Sequence, residues 1–216
     1  GQISEFVQSG TLRRRIGRKG KGPGEFAIPG AMAVLHDTLL AAVDWQLQRV
    51  NFFDLSSGAL TRSVPIGGLA YGIAWDGDTL VGALFDPVNY TSQVVLLPGV
   101  DSAIRRGTLP APYRDSPGVR TFFPYFFVAS IPDKLVTGFM ASNELYVKIS
   151  GAETLAVTMP WVARRPVPTD IVQRFSKPMS DSTIIGMASV LSGLFPMGGE
   201  RLAIIHSDFV MDGQAE

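Results

Sequence analysis

The chain has 216 residues, with 19 basic and 19 acidic side chains and a formal net charge of zero. Nothing in that balance directs the protein toward nucleic acid or an anionic membrane surface. The chain contains no cysteine, which excludes disulfides, thiolate metal sites and a cysteine nucleophile in this segment. Hydrophobic residues make up 46% of the sequence, and 23 Gly and 15 Pro interrupt it at short intervals, so the composition predicts a large all-β core.

The clearest unit follows a glycine-rich connection at Gly17–Phe26, whose four glycines and one proline favour a loop over a helix or a mid-strand position. His36-Asp37 is predicted to form a tight turn within this unit. The predicted strands are Gly30–Leu35, Thr38–Val43, Gln48–Phe53 and Ala59–Val64. Four antiparallel strands in sequence followed by a crossover is the plan of a propeller blade.

The same plan recurs along the chain, where strand-like runs ending at a glycine are spaced at roughly the length of a four-stranded blade. Asp76-Gly77 between two apolar runs is a strong hairpin signal. The predicted strands of the second unit are Tyr71–Trp75, Thr79–Phe85 and Ser92–Leu97. Those of the third are Phe122–Ala129, Leu135–Met140, Glu144–Ile149 and Thr154–Met159. A fourth unit is predicted to begin near Thr183–Leu191, continue through Arg201–His206 and stop at Phe209–Gly213.

We therefore expect a single, incomplete β-propeller domain over residues 1–216, with about four blades. The predicted divisions are the outer strands of a first blade at 1–16, blades at 27–65, 66–109 and 119–160, a helical insertion at 161–182, and an incomplete blade at 183–216. The insertion either covers an apolar edge or forms a lid or partner-binding helix. An incomplete ring exposes blade edges, so missing blades or a partner chain are expected to cover them.

One segment carries a family resemblance. The run GRKGKGPGEF at Gly17–Phe26, followed by Pro29, Val43-Asp44 and RVNFFD at Arg49–Asp54, resembles the NHL/TolB-like repeat of bacterial six-bladed β-propeller proteins. Outside Gly10–Gly58 only the rhythm of strands and turns is shared. The resemblance implies a six-bladed ring in an extracytoplasmic protein that is periplasmic, secreted or envelope-anchored, although no signal peptide is visible in this segment. It carries no catalytic residues over.

Six basic residues cluster around the same segment: Arg13, Arg14, Arg15, Arg18, Lys19 and Lys21. On a strand, Arg13 and Arg15 share one face and Arg14 takes the other, which suits an exposed edge that resists pairing. The alternative is an anion-binding rim for acidic protein, polyanionic sugar or phospholipid, with Arg13, Arg15, Arg18 and Lys19 as contacts. A phosphate cradle is disfavoured because the connection lacks GxxxxGK[ST] spacing and no helix follows it. Nucleic acid is disfavoured because no aromatic residues are interleaved.

Aromatic side chains give a second set of candidate contacts. Alternation along strands places most of them in the core. Tyr71, Tyr90, Tyr113 and Trp161 lie in predicted loops, where they could line a mouth for sugar or peptide.

Catalytic patterns are sparse. The chain has two histidines, His36 and His206, and no HxH, HExxH or GxSxG spacing. The predicted inner strands carry no Asp, Glu or Asn. We therefore predict no catalytic residues, no metal site and no cofactor; the remaining candidate metal ligands are loop residues Asp86, Asn89, Asp115 and Asn143.

The function expected from these features is a non-catalytic binding or scaffold propeller of the bacterial cell envelope, recognising a protein, peptide or glycan through loops on one face. The alternative is a metal-dependent lactonase or hydrolase-like, or quinoprotein-like, propeller enzyme. A third reading is a purely structural fragment of a larger sensor or secreted protein. Acidic or Asn ligands converging on the propeller axis would favour the enzyme.

Overall fold

The computed structural model describes residues 1–86, 88, 91–149, 154–159 and 188–209. The chain divides into two compact units. Unit 1 comprises Gly1–Asp86 and Ser92–Arg106, and unit 2 comprises Pro87–Thr91 and Gly107–Glu216. In the described part of both units the architecture is all-β apart from two short helices.

Unit 1 contains two pairs of strands and two four-stranded antiparallel sheets. The pairs are β1 (Ile3–Phe6) with β2 (Leu12–Ile16), and the parallel β3 (Arg18–Lys19) with β4 (Glu25–Phe26). The first sheet is β5 (Pro29–Leu35), β6 (Leu39–Asp44), β7 (Arg49–Asp54) and β8 (Leu60–Pro65). The second is β9 (Ala70–Asp76), β10 (Thr79–Asp86), β11 (Thr91–Leu96) and β12 (Ile104–Arg106). In both sheets each strand pairs with the next along the chain, as in a propeller blade.

Short turns set the register of these sheets. In the β5–β6 turn His36 has φ 46° and Asp37 has φ 54°, and the Thr38 N–H donates to the Leu35 carbonyl oxygen at 3.0 Å. Positive φ at both central residues is the geometry of a type I′ hairpin turn. The turn predicted at His36-Asp37 is therefore confirmed. One of the chain's two histidines, His36, is thus a turn residue.

The first sheet of unit 1 is buried on both faces along β6. Ala41 and Val43 belong to a core shared with the second sheet, whereas Leu40 and Ala42 point into a smaller core with Ile16. Successive side chains of a strand face opposite sides of the sheet, so adjacent residues of β6 serve different cores. The smaller core also contains Phe26 and Phe53, and it packs the β1–β2 hairpin onto this sheet.

Unit 2 begins with two short helices and continues with two sheets. The helices are α1 (Ala111–Asp115) and α2 (Pro117–Phe122). A four-stranded antiparallel sheet follows: β13 (Phe126–Ile131), β14 (Lys134–Phe139), β15 (Glu144–Ile149) and β16 (Thr154–Thr158). The last described pair is β17 (Ala188–Pro196) with β18 (Leu202–Phe209). Leu191 and Leu194 of β17 pack against Ala129, Val136 and Leu145 of the four-stranded sheet.

The start of this third sheet corrects the sequence interpretation. Residues 122–125 were predicted as strand, but α2 extends to Phe122 and β13 begins only at Phe126. Ser116 caps α2 by accepting a hydrogen bond from the Val119 N–H, and Pro117 occupies the first helical position, where its missing donor costs nothing. The sequence predicted a strand here because the aromatic residues from Phe122 onward fit the apolar pattern of a strand as well as that of a helix.

Three further predictions lie wholly or partly outside the described residues. The predicted helical insertion at 161–182 falls there entirely, and the predicted strand Phe209–Gly213 falls there except for Phe209. Of the predicted strand Thr183–Leu191, the described portion is strand from Ala188 onward. No helix of the described chain is long and apolar enough to cross a membrane.

The described sheets have the form of a partial β-propeller. Three are complete four-stranded antiparallel meanders, and two antiparallel hairpins, β1–β2 and β17–β18, have half that number of strands. The predicted fold class, an all-β propeller with about four blades, is confirmed.

Candidate functional site

The arginines of the β1–β2 hairpin are partly used within the hairpin itself. Arg13 Nη1 lies 2.9 Å from Glu5 Oε1, and the Arg14 guanidinium contacts the other oxygen of the same carboxylate. Hydrogen bonding from Arg14 is the largest cause that lowers the pKa of Glu5. Arg15 is exposed on β2, as is Arg13. The predicted alternation of this strand is observed, and Arg14 is the residue that faces inward.

The glycine-rich connection closes around its own carboxylate. Glu25 Oε2 accepts from the Gly22 N–H at 2.8 Å, and Glu25 Oε1 accepts from Arg18 Nε at 2.7 Å. The backbone bond from Gly22, followed by the bond from Arg18, lowers the pKa of Glu25. A protein carboxylate therefore takes the Gly22 N–H that a bound phosphate would need. Lys19 is exposed on β3.

The carbonyl groups of this connection are held by the neighbouring sheet. Arg49 Nη2 donates to the carbonyl oxygens of Gly22 at 2.6 Å and Glu25 at 2.9 Å, and Asn51 Nδ2 donates to the latter at 3.3 Å. Phe26, fully buried, lies 5.7 Å from the Phe53 ring. The motif that resembles the NHL/TolB-like repeat thus consists largely of residues that fix the crossover between β2 and β5.

The predicted aromatic contacts have different environments. Tyr71, half-buried on β9, lies 6.4 Å from the Trp45 ring. Tyr113 is in α1 rather than in a loop and is fully buried among Phe126 and Phe139, so its ring is part of the core of unit 2. Tyr90 and Trp161 lie outside the described residues.

The candidate metal ligands do not cluster in the described chain. Asp86 forms an ion pair with Arg105 at 3.2 Å, and Asp115 and Asn143 are exposed. Asn89 lies outside the described residues. Among the described residues no group of three or more His, Asp or Glu side chains is arranged to hold a metal ion.

A cleft of about 440 Å³ opens in unit 1, where the β5–β6 and β9–β10 hairpins and the loop after β11 meet. We call it the Trp75 cleft. Its volume falls within the range of about 300–1,000 Å³ that is typical of small-ligand sites. Its lining combines aromatic, aliphatic and charged side chains: Leu35, Leu39, Phe52, Thr61, Arg62, Trp75, Asp78, Pro98 and Gly99.

Three of these side chains, Phe52, Trp75 and Arg62, pack against one another. The rings of Phe52 and Trp75 lie 6.2 Å apart at 59°. The Arg62 guanidinium carbon lies 4.3 Å from the centre of the Phe52 ring, a cation–π contact. Arg62 Nη1 also donates to the carbonyl oxygens of Leu97 and Val100, each at 3.0 Å. The guanidinium is therefore held in place by backbone groups of the same unit.

The indole N–H of Trp75 has no hydrogen-bond acceptor in the described part of the chain. Trp75 is only 9% exposed, and a buried donor without an acceptor costs roughly 1–3 kcal/mol. Trp45 shows the ordinary arrangement, because its Nε1 donates to the Ala70 carbonyl oxygen at 2.9 Å. The sequence interpretation assigned Trp75 mainly to the core. The hairpin signal Asp76-Gly77 directly follows Trp75 and places this residue at the end of a strand, which is the sequence feature that predicts a position near a cleft between turns.

A second, larger concavity lies beside the β1–β2 hairpin. It measures about 800 Å³ and is lined by Ile3 and Ile16 of the hairpin, by Met32 and Val34 of β5, and by the turns near Asp37 and Asp54. We call it the β5 groove.

Comparison with known proteins supports the fold. No family model matches the chain, and no curated protein sequence matches it either. Among solved structures it is similar to a candidate exported protein from Bacteroides fragilis, with TM-score 0.67 and 14% identity over 96% of this chain and 60% of that one. A DUF4221 family member from Bacteroides vulgatus gives TM-score 0.60 and 9% identity over 90% of this chain and 60% of that one.

BamB from Moraxella catarrhalis is also similar, with TM-score 0.54 and 11% identity over 94% of this chain and 48% of that one. The chain thus spans about 60% or less of the length of these three structures. At these identities the likeness shows the fold alone. It agrees with the partial β-propeller that the strand pairing defines.

Proposed function

We propose that the protein is a non-catalytic binding or scaffold propeller of the bacterial cell envelope that recognises a protein, peptide or glycan through loops at one end of its blades. The Trp75 cleft is the observation that carries this proposal. It joins two aromatic rings, a guanidinium held by backbone carbonyls and a buried indole N–H without an acceptor in the described chain.

The chemistry of the cleft suits a ligand with both an apolar face and oxygen acceptors. Phe52 is only 1% exposed, so a sugar ring or an aromatic peptide side chain would contact Arg62 and the accessible part of Trp75. The Trp75 indole N–H is buried beside the cleft, and a ligand hydroxyl or carbonyl oxygen would accept from it after a local movement of the cleft wall. Asp78, exposed in the β9–β10 turn, adds an acceptor for ligand hydroxyl or amide groups at the rim. Recognition by loops on a rigid sheet scaffold needs no chemical step.

The envelope location and the family type are parts of the same proposal. They are supported by the GPGEF-containing connection and by the likeness to a candidate exported protein. We likewise propose that residues 1–216 form one domain within a six-bladed ring of the NHL/TolB-like repeat type, with the blade divisions predicted above.

Fluorescence titration tests the proposal directly. A variant with Trp45 and Trp161 replaced by Phe keeps Trp75 as its single tryptophan, since the chain has three. We expect an N-acetylglucosamine oligomer or an aromatic-rich peptide to change the emission of Trp75 with saturation. Isothermal titration calorimetry needs no tryptophan reporter, and in the wild-type background it should show Trp75→Phe and Arg62→Met each weakening that binding about tenfold, the loss expected for one good polar or cation–π contact.

Trp45→Phe is the matched control, because Trp45 lies outside the cleft lining and its N–H is already bonded. Its affinity should stay within about twofold of wild type, as for a surface substitution away from the site. If neither probe saturates the emission of Trp75, or if the Trp45 and Trp75 variants lose binding equally, the cleft is not the recognition site.

A further inference from the structure

We propose that the Trp75 cleft binds the carboxylate group of a hexuronic acid, an acidic sugar residue of a glycan, through the guanidinium of Arg62. This inference rests on the proposed function, because it names the chemistry of the ligand for the same cleft. It narrows that proposal, which a neutral sugar or an apolar peptide would also satisfy.

Two arginines of unit 1, Arg14 on β2 and Arg62 on β8, occupy equivalent positions. Each lies on the later strand of an antiparallel pair. Arg14 Nη1 donates to the Ser56 carbonyl oxygen at 3.1 Å, in the turn between β7 and β8. Arg62 Nη1 donates to the carbonyl oxygens of Leu97 and Val100, each at 3.0 Å, in the turn between β11 and β12. Each guanidinium is therefore held by backbone groups of the sheet that follows it.

The residues opposite these two arginines differ in charge. In the β5 groove, Glu5 pairs with Arg14 across the β1–β2 hairpin, and its carboxylate accepts from Arg14 Nε. In the Trp75 cleft, Phe52 pairs with Arg62 across β7 and β8, and its ring lies under the guanidinium. A ring face attracts the cation but leaves its N–H groups without an acceptor, whereas a carboxylate accepts two of them. Where the chain itself supplies the acceptor for such an arginine, that acceptor is a carboxylate.

Part of the Arg62 guanidinium remains available to a ligand. Within the described part of the chain its hydrogen bonds are made by Nη1, none engages Nε or Nη2, and neither of these two nitrogens is fully buried. Asp78, the acidic residue of the cleft lining, forms no ion pair with Arg62 among the described residues. Nε and Nη2 form the edge of a guanidinium that binds both oxygens of one carboxylate. The cleft therefore offers an anion site that the described chain does not fill.

The rest of the cleft suits a sugar ring that carries this carboxylate. A sugar hydroxyl would accept from the buried indole N–H of Trp75 after a local movement of the cleft wall. Another hydroxyl would donate to the exposed carboxylate of Asp78 at the rim. A hexuronic acid supplies these hydroxyls and the carboxylate on one ring, whereas an acidic peptide side chain supplies the carboxylate alone. The lining thus favours an acidic sugar over an acidic peptide.

Isothermal titration calorimetry of the 216-residue chain with a trimer of glucuronic acid and with the methyl ester of that trimer gives the first test. The two probes share their rings and hydroxyls, and the ester lacks the charge. We expect the acid to bind with a dissociation constant about tenfold or more below that of the ester, the gain typical of a charge-assisted pair of hydrogen bonds. Added salt should reduce this preference, because it screens partly exposed charges.

Substitution of the arginine locates the preference. Arg62→Gln should bring the dissociation constants of the two probes within about twofold of each other, and Arg62→Lys should retain only part of the preference because a lysine lacks the planar fork. Arg15→Gln is the matched control: it removes the same charge from an exposed arginine of unit 1 that does not line the cleft. The preference should be the same in this control as in wild type. Far-UV circular dichroism identifies any variant that misfolds, and the probe pair on the wild-type chain tests the inference without a variant.

The outcomes separate this inference from the proposed function. If the acid binds no more tightly than the ester, while a neutral probe still binds and Trp75→Phe weakens it, the acidic ligand is wrong and the recognition site stands. If no probe binds, both proposals fail. Loss of the preference in Arg15→Gln would place the anion site on the basic residues of β2 and overturn the inference. A blocked tripeptide with a central glutamate that binds as tightly as the acid, and loses this binding in Arg62→Gln, would overturn the assignment to a sugar.

Discussion

The connections that lead into the first strands of two blades are held by different means. In unit 1 the segment between β2 and β5 is largely irregular apart from the two-residue strands β3 and β4, and several of its N–H and carbonyl groups are bound by Asp44, Arg49 and Asn51. In unit 2 the segment before β13 forms α1 and α2, and it is anchored by the buried ring and hydroxyl of Tyr113. The first connection depends on polar groups that bind backbone, and the second depends on an aromatic cluster.

The aromatic cluster of unit 2 is tightly arranged. The Tyr113 ring centre lies 5.7 Å from that of Phe126 and 5.6 Å from that of Phe139, and the two phenylalanines are 4.9 Å apart. The Tyr113 hydroxyl donates to the Phe123 carbonyl at 3.0 Å and accepts from the Ala141 N–H at 2.9 Å. One side chain therefore supplies both packing and the hydrogen bonds that join α1 to the sheet.

This contrast shows that repeated blades do not need the same interactions to hold the connections between them. A loop without regular structure must satisfy each backbone group individually, so its residues are specific. Helices of five or six residues form few hydrogen bonds of their own and are stabilised mainly by packing, here against an apolar anchor. The two regions should consequently respond to different kinds of substitution.

The largest effect on stability is expected at the connection between β2 and β5, which polar side chains hold. Asp44 is fully buried, and its carboxylate accepts from the N–H groups of Ala27, Ile28, Gln46 and Leu47 at 2.8–3.3 Å. Asp44→Ala leaves these donors without their acceptor and should lower the free energy of unfolding by about 4 kcal/mol. Urea denaturation measures it. The exposed Asp101→Ala is the control and should stay within about 0.5 kcal/mol of wild type; equal losses in both would show that these polar contacts are dispensable.

A glycine pair separates backbone strain from close packing in the same region. Gly17 has φ +68°, and a Cβ there would lie 2.7 Å from the Phe26 ring and 2.9 Å from the Gly24 carbonyl oxygen. Gly10 has φ +83° and no atom within 4 Å of that position. By urea denaturation Gly17→Ala should cost about 3 kcal/mol, and Gly10→Ala only the left-handed strain of about 1 kcal/mol. Similar costs at both glycines would mean that the loop can move away from Phe26.

In the connection before β13, removal of the Tyr113 hydroxyl should have a smaller and more local effect on stability. Tyr113→Phe keeps the ring but removes the hydrogen bonds of the hydroxyl with the Ala141 N–H and the Phe123 carbonyl, which should cost about 1.5 kcal/mol. Hydrogen exchange should accelerate at Ala141 more than along β13. The control is Tyr125→Phe, whose side chain is 43% exposed. Unchanged exchange at Ala141 in the Tyr113 variant would assign the anchoring to the ring alone.

The smallest effect is expected at high pH and in unit 2. Burial, followed by the hydrogen bond to Glu144, raises the pKa of Tyr146 to about 12. The contribution of this tyrosine to stability is complete below pH 10, its ordinary value, and is lost as the pH rises through about 12. Tyrosinate absorbance should therefore show a late step that Tyr146→Phe removes and Tyr125→Phe retains. A titration that is the same in both variants would place the late step on another residue.

Sequence patterns predicted the blades of unit 1 and their turns closely. The predicted strands Gly30–Leu35 and Gln48–Phe53 correspond to β5 and β7 within one residue at each end. Alternation of side chains, the left-handed preference of short turns and the interruptions made by Gly and Pro are local properties, so they can be read from neighbouring residues. The exposed position of Arg13 and Arg15 on β2 follows from the same alternation.

The surroundings of the candidate site residues could not be predicted from local sequence patterns. Whether Tyr113 lies in a loop or in a core depends on Phe126 and Phe139, which approach it only after the chain folds. The Trp75 cleft requires Phe52, Arg62 and Trp75 from three strands of two sheets. The order of residues in this chain thus specified its strands, turns and glycine-rich crossover, because those depend on local backbone geometry. The packing of distant side chains established that Tyr113 is buried and that Phe52, Arg62 and Trp75 meet, because burial is a property of contacts between segments far apart in the chain.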